Sequence, residues 1–387
     1  MRNSNAQPLV AEVLRYLDEG GSWRTSPHET PASHYTDRAH LQLELDTLFR
    51  GPQVVALSPD LPGPNTFVTR DQYDVPLLLT RDAHGQVHAA ANVCTHRGAQ
   101  VVAPGRGQAR RHTCPYHAWT YDSATTLVGV PDAGAFPDVC PGSEGLAPVP
   151  VVERDGVIWA DPRPGAPAFD AAALERTDMA AFADDIVDYD IAGHRYWRTH
   201  RFDLAMNWKL VIDTFLEPYH FAALHKQTVG PYFVANLCVA HRSGPHVREV
   251  LPRKTFAEMA TQDPADWDLV PHTAMVYVMF PNTVFVMQID HIETWRVTPD
   301  RDDPGRCIVD LDFYIPDQPA TESSERHWEK NWQLTIDTVI GEDFAAMESA
   351  QRGMASGAID KLRLGANEPA LGLFHQALAD AIAEQVA

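Results

Sequence analysis

The stretch Cys94-Thr-His96, followed after seventeen residues by Cys114-Pro-Tyr-His117, decides the fold of the first half of the chain. It places two thiols and two imidazoles in two short segments, each directly after a strand-like run. Around these segments, over residues 53–160, short β-rich runs alternate with Gly, Pro and Asp turns. Such alternation is typical of a small antiparallel sandwich or barrel.

This pair of motifs has the ligand spacing of a Rieske [2Fe–2S] cluster, in which two Cys hold one iron and two His hold the other. Because neutral imidazoles replace charged thiolates, such a cluster takes up an electron at a higher potential than an all-Cys cluster does. The alternative is a zinc site with two Cys and two His. The long loop between the pairs and the surrounding strands do not resemble the hairpin and helix of a zinc finger.

Composition limits what else the chain does. Its 387 residues suffice for two or three domains, and its net charge of −21 argues against binding to nucleic acid. No apolar run approaches the ~18 residues of a membrane span, and the polar start does not resemble a signal peptide. Cys140, Cys238 and Cys307 follow no spacing pattern. We therefore expect a cytoplasmic protein with reduced thiols and no contact with nucleic acid or membrane.

Changes in residue composition and in the predicted secondary structure divide the chain into three segments. These are residues 1–48 with two short helical patterns, residues 49–162 with the cluster motif, and residues 163–387. A Pro-rich linker lies at the second boundary. In the last segment, periodicity predicts helices over 207–216, 323–340 and 369–382. Strands are predicted over 273–279, 284–288, 294–297 and 308–314. Together these elements indicate an α+β fold with an antiparallel sheet.

A second group of candidate ligands lies in Glu217-Pro-Tyr-His220 and the nearby His225. Two His with a carboxylate suggest the 2-His-1-carboxylate site of non-haem Fe(II) enzymes, which leaves positions open for O₂. Residues i and i+5 of an ideal helix lie about 140° apart, so the two His converge only if a helix end, loop or bulge separates them. Pro218 fits such a break. Among 18 His, such a pair also arises by chance, but an electron-transfer domain implies a centre that receives the electron.

The third ligand of this second site stays open on residue patterns alone. Carboxylates near apolar residues are Asp213, Glu217, Asp337, Glu342 and Asp343. The best candidates are Glu342 and Asp343, which follow the apolar end of a predicted helix. The alternative for this pair is ordinary charge at a helix end.

Together the motifs resemble the catalytic α subunit of Rieske non-haem iron aromatic ring-hydroxylating oxygenases. The resemblance covers nearly the whole chain and rests on CTHRGAQVV (94–102), CPYHAWTYD (114–122), NWKLVIDTFLEPYHFAALH (207–225) and EDFAAMESAQRG (342–353). It implies an N-terminal all-β Rieske domain and a helix-grip catalytic domain, in which an antiparallel sheet curls around a long helix. The helical segment 1–48 is then expected to pack on the catalytic domain.

The resemblance also implies the metal ligands. Cys94, His96, Cys114 and His117 would bind the cluster. His220, His225 and Asp343 would bind mononuclear Fe(II), so the resemblance selects Asp343 as the carboxylate ligand.

Two further acidic residues receive roles from the resemblance. Glu217 would connect His220 to the partner subunit's His117 in a head-to-tail homotrimer. The family usually has Asp at this position, and Glu resembles the branch that acts on quaternary ammonium compounds such as choline, carnitine and betaines. Asp213 occupies a position near the iron where several dioxygenases have Asn. It is expected either to support the site or to form a buried pair with an Arg.

The implied function is that of a terminal oxygenase. It uses O₂ and electrons from NAD(P)H, delivered by a separate reductase with or without a ferredoxin, because the chain has no Gly-rich dinucleotide motif. The substrate would be a small aromatic or quaternary ammonium molecule that is hydroxylated or oxidatively demethylated. The alternative is a non-catalytic Rieske carrier fused to a domain that binds a hydrophobic ligand, and the His pair counts against it.

The substrate pocket is predicted from residues after the His pair and on the strands. An aromatic cage there would attract a cationic ammonium group, whereas the alternative for such residues is ordinary core. The candidates are Phe221, Tyr232, Phe233, Val234, Tyr277, Met279, Phe285, Met287 and Trp295.

Overall fold

The computed structural model describes residues 3–21, 27–71, 75–163, 165–174 and 180–386. These residues form two compact units. The first, called here the β unit, lies within Arg50–Glu175 and Asp190–Arg195. The second, called the helix-and-sheet unit, lies within Met1–Phe49, Arg176–Tyr189 and Tyr196–Ala387.

The N-terminal segment belongs to the helix-and-sheet unit. Its elements are α1 (Asn3–Glu19), β1 (His28–Pro31) and α2 (Arg38–Thr47). The buried carboxylate of Glu44 accepts hydrogen bonds from Nε1 of Trp208 at 2.8 Å and Nζ of Lys209 at 2.6 Å. Removing one partner of a buried ion pair is strongly destabilising. This contact therefore ties α2 to the helix that begins at Trp208.

The β unit consists of short antiparallel strands in three sheets. The strands are β2 (Gln53–Leu57), β3 (Thr66–Arg70), β4 (Leu77–Arg81), β5 (Val87–Ala91), β6 (Arg106–Gln108), β7 (Arg111–Thr113), β8 (Thr120–Asp122), β9 (Leu127–Gly129), β10 (Pro148–Val149), β11 (Val151–Arg154) and β12 (Val157–Ala160). The sheet orders are β10-β5-β4-β3-β6, β11-β12-β2 and β7-β8-β9. The first cluster motif follows β5, and the second connects β7 to β8. Both motifs therefore lie in loops that strands hold at each end.

One β-rich run of the β unit, residues 149–152, is divided between two strands. The run breaks at Pro150, so Val149 ends β10 and Val151 begins β11, and these strands join different sheets. Because Pro has no backbone N–H, it interrupts the hydrogen-bond ladder at this point.

A seven-stranded antiparallel sheet forms the centre of the helix-and-sheet unit. Its order is β13-β19-β18-β17-β16-β15-β14. The strands are β13 (Arg195–Leu204), β14 (Val239–Ser243), β15 (His246–Pro252), β16 (Thr273–Met279), β17 (Thr283–Met287), β18 (Ile292–Pro299) and β19 (Cys307–Ile315). A further strand, β20 (Lys361–Leu364), pairs with β1. The predicted α+β class is confirmed.

The remaining helices are α3 (Ala171–Leu174), α4 (Ala180–Asp188), α5 (Trp208–Asp213), α6 (Glu322–Thr335), α7 (Ala345–Ala355) and α8 (Pro369–Val386). Helix α5 is shorter than the predicted 207–216, since Asn207 caps its start through a bond from Lys209 N at 3.0 Å. A π-helical segment, Ile336–Phe344, joins α6 to α7. The long helix therefore continues beyond the predicted end at residue 340.

The long helix packs on the sheet through large buried side chains. The rings of Phe313 on β19 and Trp332 on α6 lie 5.8 Å apart, and those of Trp295 on β18 and Phe344 lie 5.9 Å apart. Burying a side chain of this size contributes roughly 1.5–3 kcal/mol. A contact shortly before the π-helical segment and one at its last residue thus fix its position against the sheet.

Candidate active site and cluster site

Three predicted metal ligands converge in the helix-and-sheet unit. Nε2 of His220 lies 3.0 Å from Nε2 of His225. Oδ1 of Asp343 lies 3.3 Å from the first nitrogen and 3.1 Å from the second. His225 and Asp343 are buried, and His220 is half-buried. Two imidazoles and a carboxylate around one point form the donor set of a 2-His-1-carboxylate site, which suits Fe(II).

The two His converge because a short helix ends between them. His220 lies in the 3₁₀ helix Tyr219–Ala222, which begins directly after Pro218. In the turn that follows, Gly230 N donates to His225 O at 2.9 Å. A Cβ on Gly230 would lie only 2.6 Å from this carbonyl oxygen. The close approach therefore requires glycine.

The π-helical segment brings two adjacent carboxylates to the His pair. Oδ1 of Asp343 is buried and accepts no hydrogen bond from the described residues. Glu342 instead receives hydrogen bonds from Nδ1 of His225 and Oγ1 of Thr228, both at 2.6 Å. Sequence reasoning named Glu342 only as a possible ligand and missed its contact with His225. The sequence feature that could have indicated this contact is the position of Glu342 directly before the predicted ligand Asp343.

Glu217 contacts the other His. One carboxylate oxygen bonds Nδ1 of His220, and the second accepts from the His220 backbone N at 3.1 Å. Burial lowers the pKa of His220, but the nearby carboxylates of Asp343 and Glu217 outweigh burial and raise the pKa to about 10. For His225, burial again opposes the shift, and Asp343 and Glu342 raise the pKa.

These contacts test whether the residues fit a metal ion. Each imidazole donates a hydrogen bond from Nδ1 to a carboxylate and directs Nε2 toward Asp343. Metal-binding His are usually oriented in this way. The buried, unbonded oxygen of Asp343 faces both nitrogens. The group fits a divalent cation that takes two nitrogens and one oxygen from the protein.

A largely apolar cavity of about 370 Å³ opens onto the three side chains. Phe215, Phe221, Tyr232 and Phe233 line it together with aliphatic residues of the sheet. A cavity of this volume and composition suits a small organic molecule.

The pocket prediction is right for Phe221, Tyr232 and Phe233 and wrong for Val234 and for the residues on the strands. Val276 on β16 and Val286 on β17 line the cavity. Side chains alternate along a strand, so Tyr277 and Phe285 occupy the other face. There, Tyr277 donates to Asp185 at 3.0 Å. The predicted residues that do not line the cavity are Val234, Tyr277, Met279, Phe285, Met287 and Trp295.

One wall of the cavity is polar. His327 Nε2 lies 2.7 Å from Asp290 Oδ2, and Asp290 Oδ1 lies 2.9 Å from Nδ1 of His291. Nε2 of His291 lies 3.3 Å from Glu293 Oε1, to which Thr335 also donates at 2.7 Å. Burial lowers the pKa of His291, but its bonds to Asp290 and Glu293 outweigh burial and raise it. The His side chains of this wall therefore lie in direct contact with its carboxylates.

Asp213 is not among the residues that line the cavity. One carboxylate oxygen accepts from Tyr35 at 2.8 Å, and the other lies 3.0 Å from Nε2 of His375. Of the two alternatives for Asp213, the buried pair with an Arg is not found among the described residues, and a role in supporting the site stays a prediction. The observed partners stand 178 and 162 residues away in the chain, which is why no local pattern indicated them.

The four predicted cluster ligands lie in two loops of similar shape. Gly98 N donates to Cys94 O at 2.8 Å in the first loop, and Ala118 N donates to Cys114 O at 3.0 Å in the second. Gly98 and Ala118 both have positive φ angles, 77° and 59°. Each loop therefore turns back directly after its Cys and His.

The side chains of these loops fit a cluster that takes two sulfur and two nitrogen donors. Cys94 and Cys114 are buried and form no disulfide, and Nδ1 of His96 is buried without a hydrogen-bond partner among the residues that the structure describes. The rings of His96 and His117 lie 4.5 Å apart, and His96 stacks on Trp119 at 4.9 Å. Burial lowers the pKa of His96, and the neighbouring His117 adds to this.

Comparisons with protein families agree with both sites. Residues 51–150 match the Rieske [2Fe-2S] domain. Residues 190–384, half of the chain, match the catalytic domain of the ring hydroxylating alpha subunit. The chain belongs to the ring-hydroxylating alpha-subunit family. The predicted family, enzyme class and cofactors are confirmed, since this family combines a Rieske cluster with a mononuclear iron. Its members use O₂ and receive electrons from ferredoxin or reductase partners.

Curated relatives of this alpha subunit act on two kinds of molecule. Choline monooxygenase of Spinacia oleracea is 28% identical, over 84% of this chain and 72% of the relative. The large subunit of anthranilate 1,2-dioxygenase from Burkholderia cepacia is 30% identical, over 51% of this chain and 49% of the relative. The glycine betaine monooxygenase oxygenase subunit of Chromohalobacter salexigens is 27% identical, over 64% of this chain and 53% of the relative.

Solved structures support the predicted fold. A quaternary ammonium Rieske monooxygenase with a bound inhibitor matches with a TM-score of 0.76 at 19% identity, covering 91% of this chain and 95% of the other. Naphthalene 1,2-dioxygenase from Rhodococcus matches with a TM-score of 0.72 at 19% identity, covering 98% of both chains. The predicted combination of a Rieske domain with an oxygenase catalytic domain is confirmed. Among the described helices, none has both the length and the apolar character needed to span a membrane.

Proposed function

We propose that this alpha subunit inserts oxygen into a small quaternary ammonium substrate and that an aromatic substrate is the second candidate. The observation that carries the proposal is the group of His220, His225 and Asp343 at the wall of an apolar cavity of about 370 Å³. This arrangement exposes three donor atoms to a space that holds an organic molecule and excludes bulk water.

His220, His225 and Asp343 are proposed to hold the mononuclear iron. When bound, this iron supplies the activation of O₂. Other residues hold the iron ligands in place. Glu217 and Glu342 accept hydrogen bonds from Nδ1 of the two His, which leaves each Nε2 free to bind metal. The cavity wall positions the substrate beside this point.

Cys94 and Cys114 are proposed to bind one iron of the cluster, and His96 and His117 the other. Their loops fix the donors through the strands at each end and through aromatic packing around His96. NAD(P)H electrons would reach the cluster through a separate reductase, with or without a ferredoxin.

We further propose a homotrimer in which Glu217 links His220 to the partner subunit's His117. The bond from His220 Nδ1 to Glu217 supports this, because a carboxylate has oxygen sites for a second imidazole. Light scattering should give the mass of a trimer or of a multiple of it. Glu217→Ala, supplied with Fe(II) until both metal centres are filled, should lose substrate oxidation, whereas Glu217→Asp should keep part of it. Normal turnover by the Ala variant would contradict this link.

The choice of substrate class rests on three observations. Glu217 stands where the family usually has Asp, the relatives that match most of the chain are choline monooxygenases, and aromatic rings line the cavity. The similarity to anthranilate 1,2-dioxygenase and to naphthalene 1,2-dioxygenase is the reason that an aromatic substrate stays the second candidate.

Iron analysis and O₂ uptake test the proposal. The purified protein should hold about three iron atoms per chain, two in the cluster and one mononuclear. With a compatible reductase, choline, carnitine or glycine betaine should stimulate O₂ uptake and yield an oxidised product. Stimulation by anthranilate or naphthalene alone would favour the aromatic alternative. Two iron atoms per chain and no substrate-dependent uptake would contradict the oxygenase proposal.

Residues 1–48, 49–162 and 163–387 are proposed as the N-terminal, Rieske and catalytic segments. The contact of Glu44 with Trp208 and Lys209 supports packing of the first segment on the third. A cytoplasmic location is proposed because Cys140 and Cys307 form no disulfide with any described residue, which suits a reducing compartment.

A further inference from the structure

Arg253 occupies an unusual place in the cavity wall. It follows β15 directly and lines the same cavity as His220, His225 and Asp343. Its side chain is half-buried. A guanidinium cation therefore faces the space in which the substrate is proposed to lie.

The contacts of Arg253 are neutral. Nη2 donates to the side-chain oxygen of Gln288 at 2.7 Å, and Nε donates to the carbonyl of Thr273 at 3.3 Å. The guanidinium also lies over the ring of Phe233, 4.6 Å from its centre. Within the part of the chain that the structure describes, no carboxylate forms an ion pair with Arg253.

The carboxylates that share the cavity have other partners. Asp290 contacts His291 and His327, and Glu293 contacts His291 and Thr335. Asp343 faces the two predicted ligand His. None of these three is therefore available as a close counter-ion of the guanidinium.

An unpaired cation in a partly apolar wall costs free energy. Burial accordingly lowers the pKa of Arg253, although Asp290 opposes this from a distance. The cost is recovered when a ligand brings a negative charge. A guanidinium presents its N–H groups in a planar fork that matches the two oxygens of a carboxylate.

We propose that Arg253 binds a carboxylate of the substrate and so selects substrates that carry one. This inference rests on the proposed oxygenase function and narrows its substrate class to small ammonium or aromatic acids. Phe233 supports the role, because its ring holds the guanidinium in one orientation. The face of Phe233 that carries Arg253 is then not available to a substrate ammonium group.

Two matched pairs of probes test the proposal on the holoenzyme. Glycine betaine and choline differ in a carboxylate, and so do anthranilate and aniline. Binding by isothermal titration calorimetry should favour the carboxylated member of at least one pair. Arg253→Gln should weaken that binding about 10–100-fold, as expected for hydrogen bonds to a charged group, and should not weaken binding of the member that lacks the carboxylate. Arg253→Lys should restore part of the loss.

Lys254→Gln is the matched control, because it removes a neighbouring exposed charge that does not line the cavity. The visible spectrum and iron content should be the same in all variants. Equal binding of both members of each pair by the wild type, or equal losses for both members in Arg253→Gln, would overturn the proposal. Because titration needs no turnover, a protein that binds the acids through Arg253 but oxidises none of them would refute the oxygenase proposal and leave this one standing.

Discussion

Carboxylates hold the His ligands of the proposed iron site, whereas aromatic rings surround those of the cluster site. Glu217 and Glu342 bond Nδ1 of His220 and His225. In the cluster loops, His96 stacks on Trp119, and its Nδ1 has no hydrogen-bond partner among the described residues. The same side-chain type is therefore prepared in two ways. At the iron site a carboxylate holds the proton on Nδ1, whereas at the cluster site the surroundings of His96 favour the neutral ring over the imidazolium.

The difference follows from which nitrogen is left for the metal. At the iron site Nε2 faces Asp343, so Nδ1 is free to be oriented by an acid. At the cluster site the unbonded atom is Nδ1 of His96. Ring packing holds an imidazole without adding negative charge next to the sulfur atoms. Four substitutions test this contrast.

Loss of the carboxylate ligand should have the largest effect. Asp343→Ala removes the only oxygen donor of the proposed iron site, so iron content should fall from about three to about two per chain while the cluster spectrum stays unchanged. Substrate-dependent O₂ uptake should disappear. Asp337→Ala, an exposed change on the same helix, is the control. Loss of the cluster spectrum in Asp343→Ala would break the separation of the two sites.

Loss of an orienting carboxylate should have the next largest effect. Glu342→Gln replaces the charged acceptor of two hydrogen bonds, one with Nδ1 of His225 and one from the hydroxyl of Thr228, by a neutral amide. We expect the affinity for Fe(II) to fall about 10–100-fold, as at other metal sites. Competition with a chelator measures this, with exposed Glu325→Gln as the control. Unchanged affinity would mean that the carboxylate does not prepare this ligand.

Buried Glu249 tests whether the charge of the orienting carboxylate Glu217 affects the pH dependence of stability. Burial, together with the charge of Glu217, raises the pKa of this fully buried residue on β15 to about 8. Between about pH 4.5 and 8 the folded state therefore binds a proton that the unfolded state releases, so stability falls as the pH rises. Because one pKa unit corresponds to about 1.4 kcal/mol, the stability of Glu249→Gln relative to the wild type should increase by roughly 3–4 kcal/mol between pH 5 and pH 8.

Thermal unfolding of both proteins across this pH range measures the effect of Glu249. Glu258→Gln, an exposed change in the same unit, should follow the wild type at every pH. Parallel curves for Glu249→Gln and wild type would show that this carboxylate does not titrate in the folded state in that range.

The aromatic packing of the cluster loops should give the smallest effect. Phe136 contacts both His96 and Trp119 edge to face, at 5.5 and 5.4 Å. Phe136→Leu should lower the thermal stability of the cluster, followed by visible circular dichroism, by about 0.5–1.5 kcal/mol per lost aromatic pair. Iron content should not change. Loss of iron in this variant would show that the ring is needed for assembly and does more than pack on the ligands.

Local patterns explain what the sequence revealed. Cys94 and His96 stand two residues apart and Cys114 and His117 three apart, so each half of the motif lies within one turn. The His pair was equally visible, but the convergence of Asp343 on it depends on a contact between distant segments. Residue size misled the pocket prediction, because the strand period places Val276 in the cavity and Tyr277 outside it.

The charged contacts were harder to foresee. Asp213 meets Tyr35 and His375 only because α5, the N-terminal segment and α8 pack together. Arg253 has no sequence signature at all. Arg253 lies in the cavity wall because it directly follows β15 and contacts Phe233 and Gln288. These three residues belong to separate segments of the chain.

The π-helical segment Ile336–Phe344 also has an evolutionary consequence. Each residue of an α-helix turns the chain by about 100°, so one deletion between Trp332 and Asp343 would rotate the carboxylate away from both His or pull Trp332 from the core. Selection therefore acts here on the number of residues as well as on their identity. Homologues that retain the site should align through this helix without a gap, whereas a gap would mark descendants that have lost the metal.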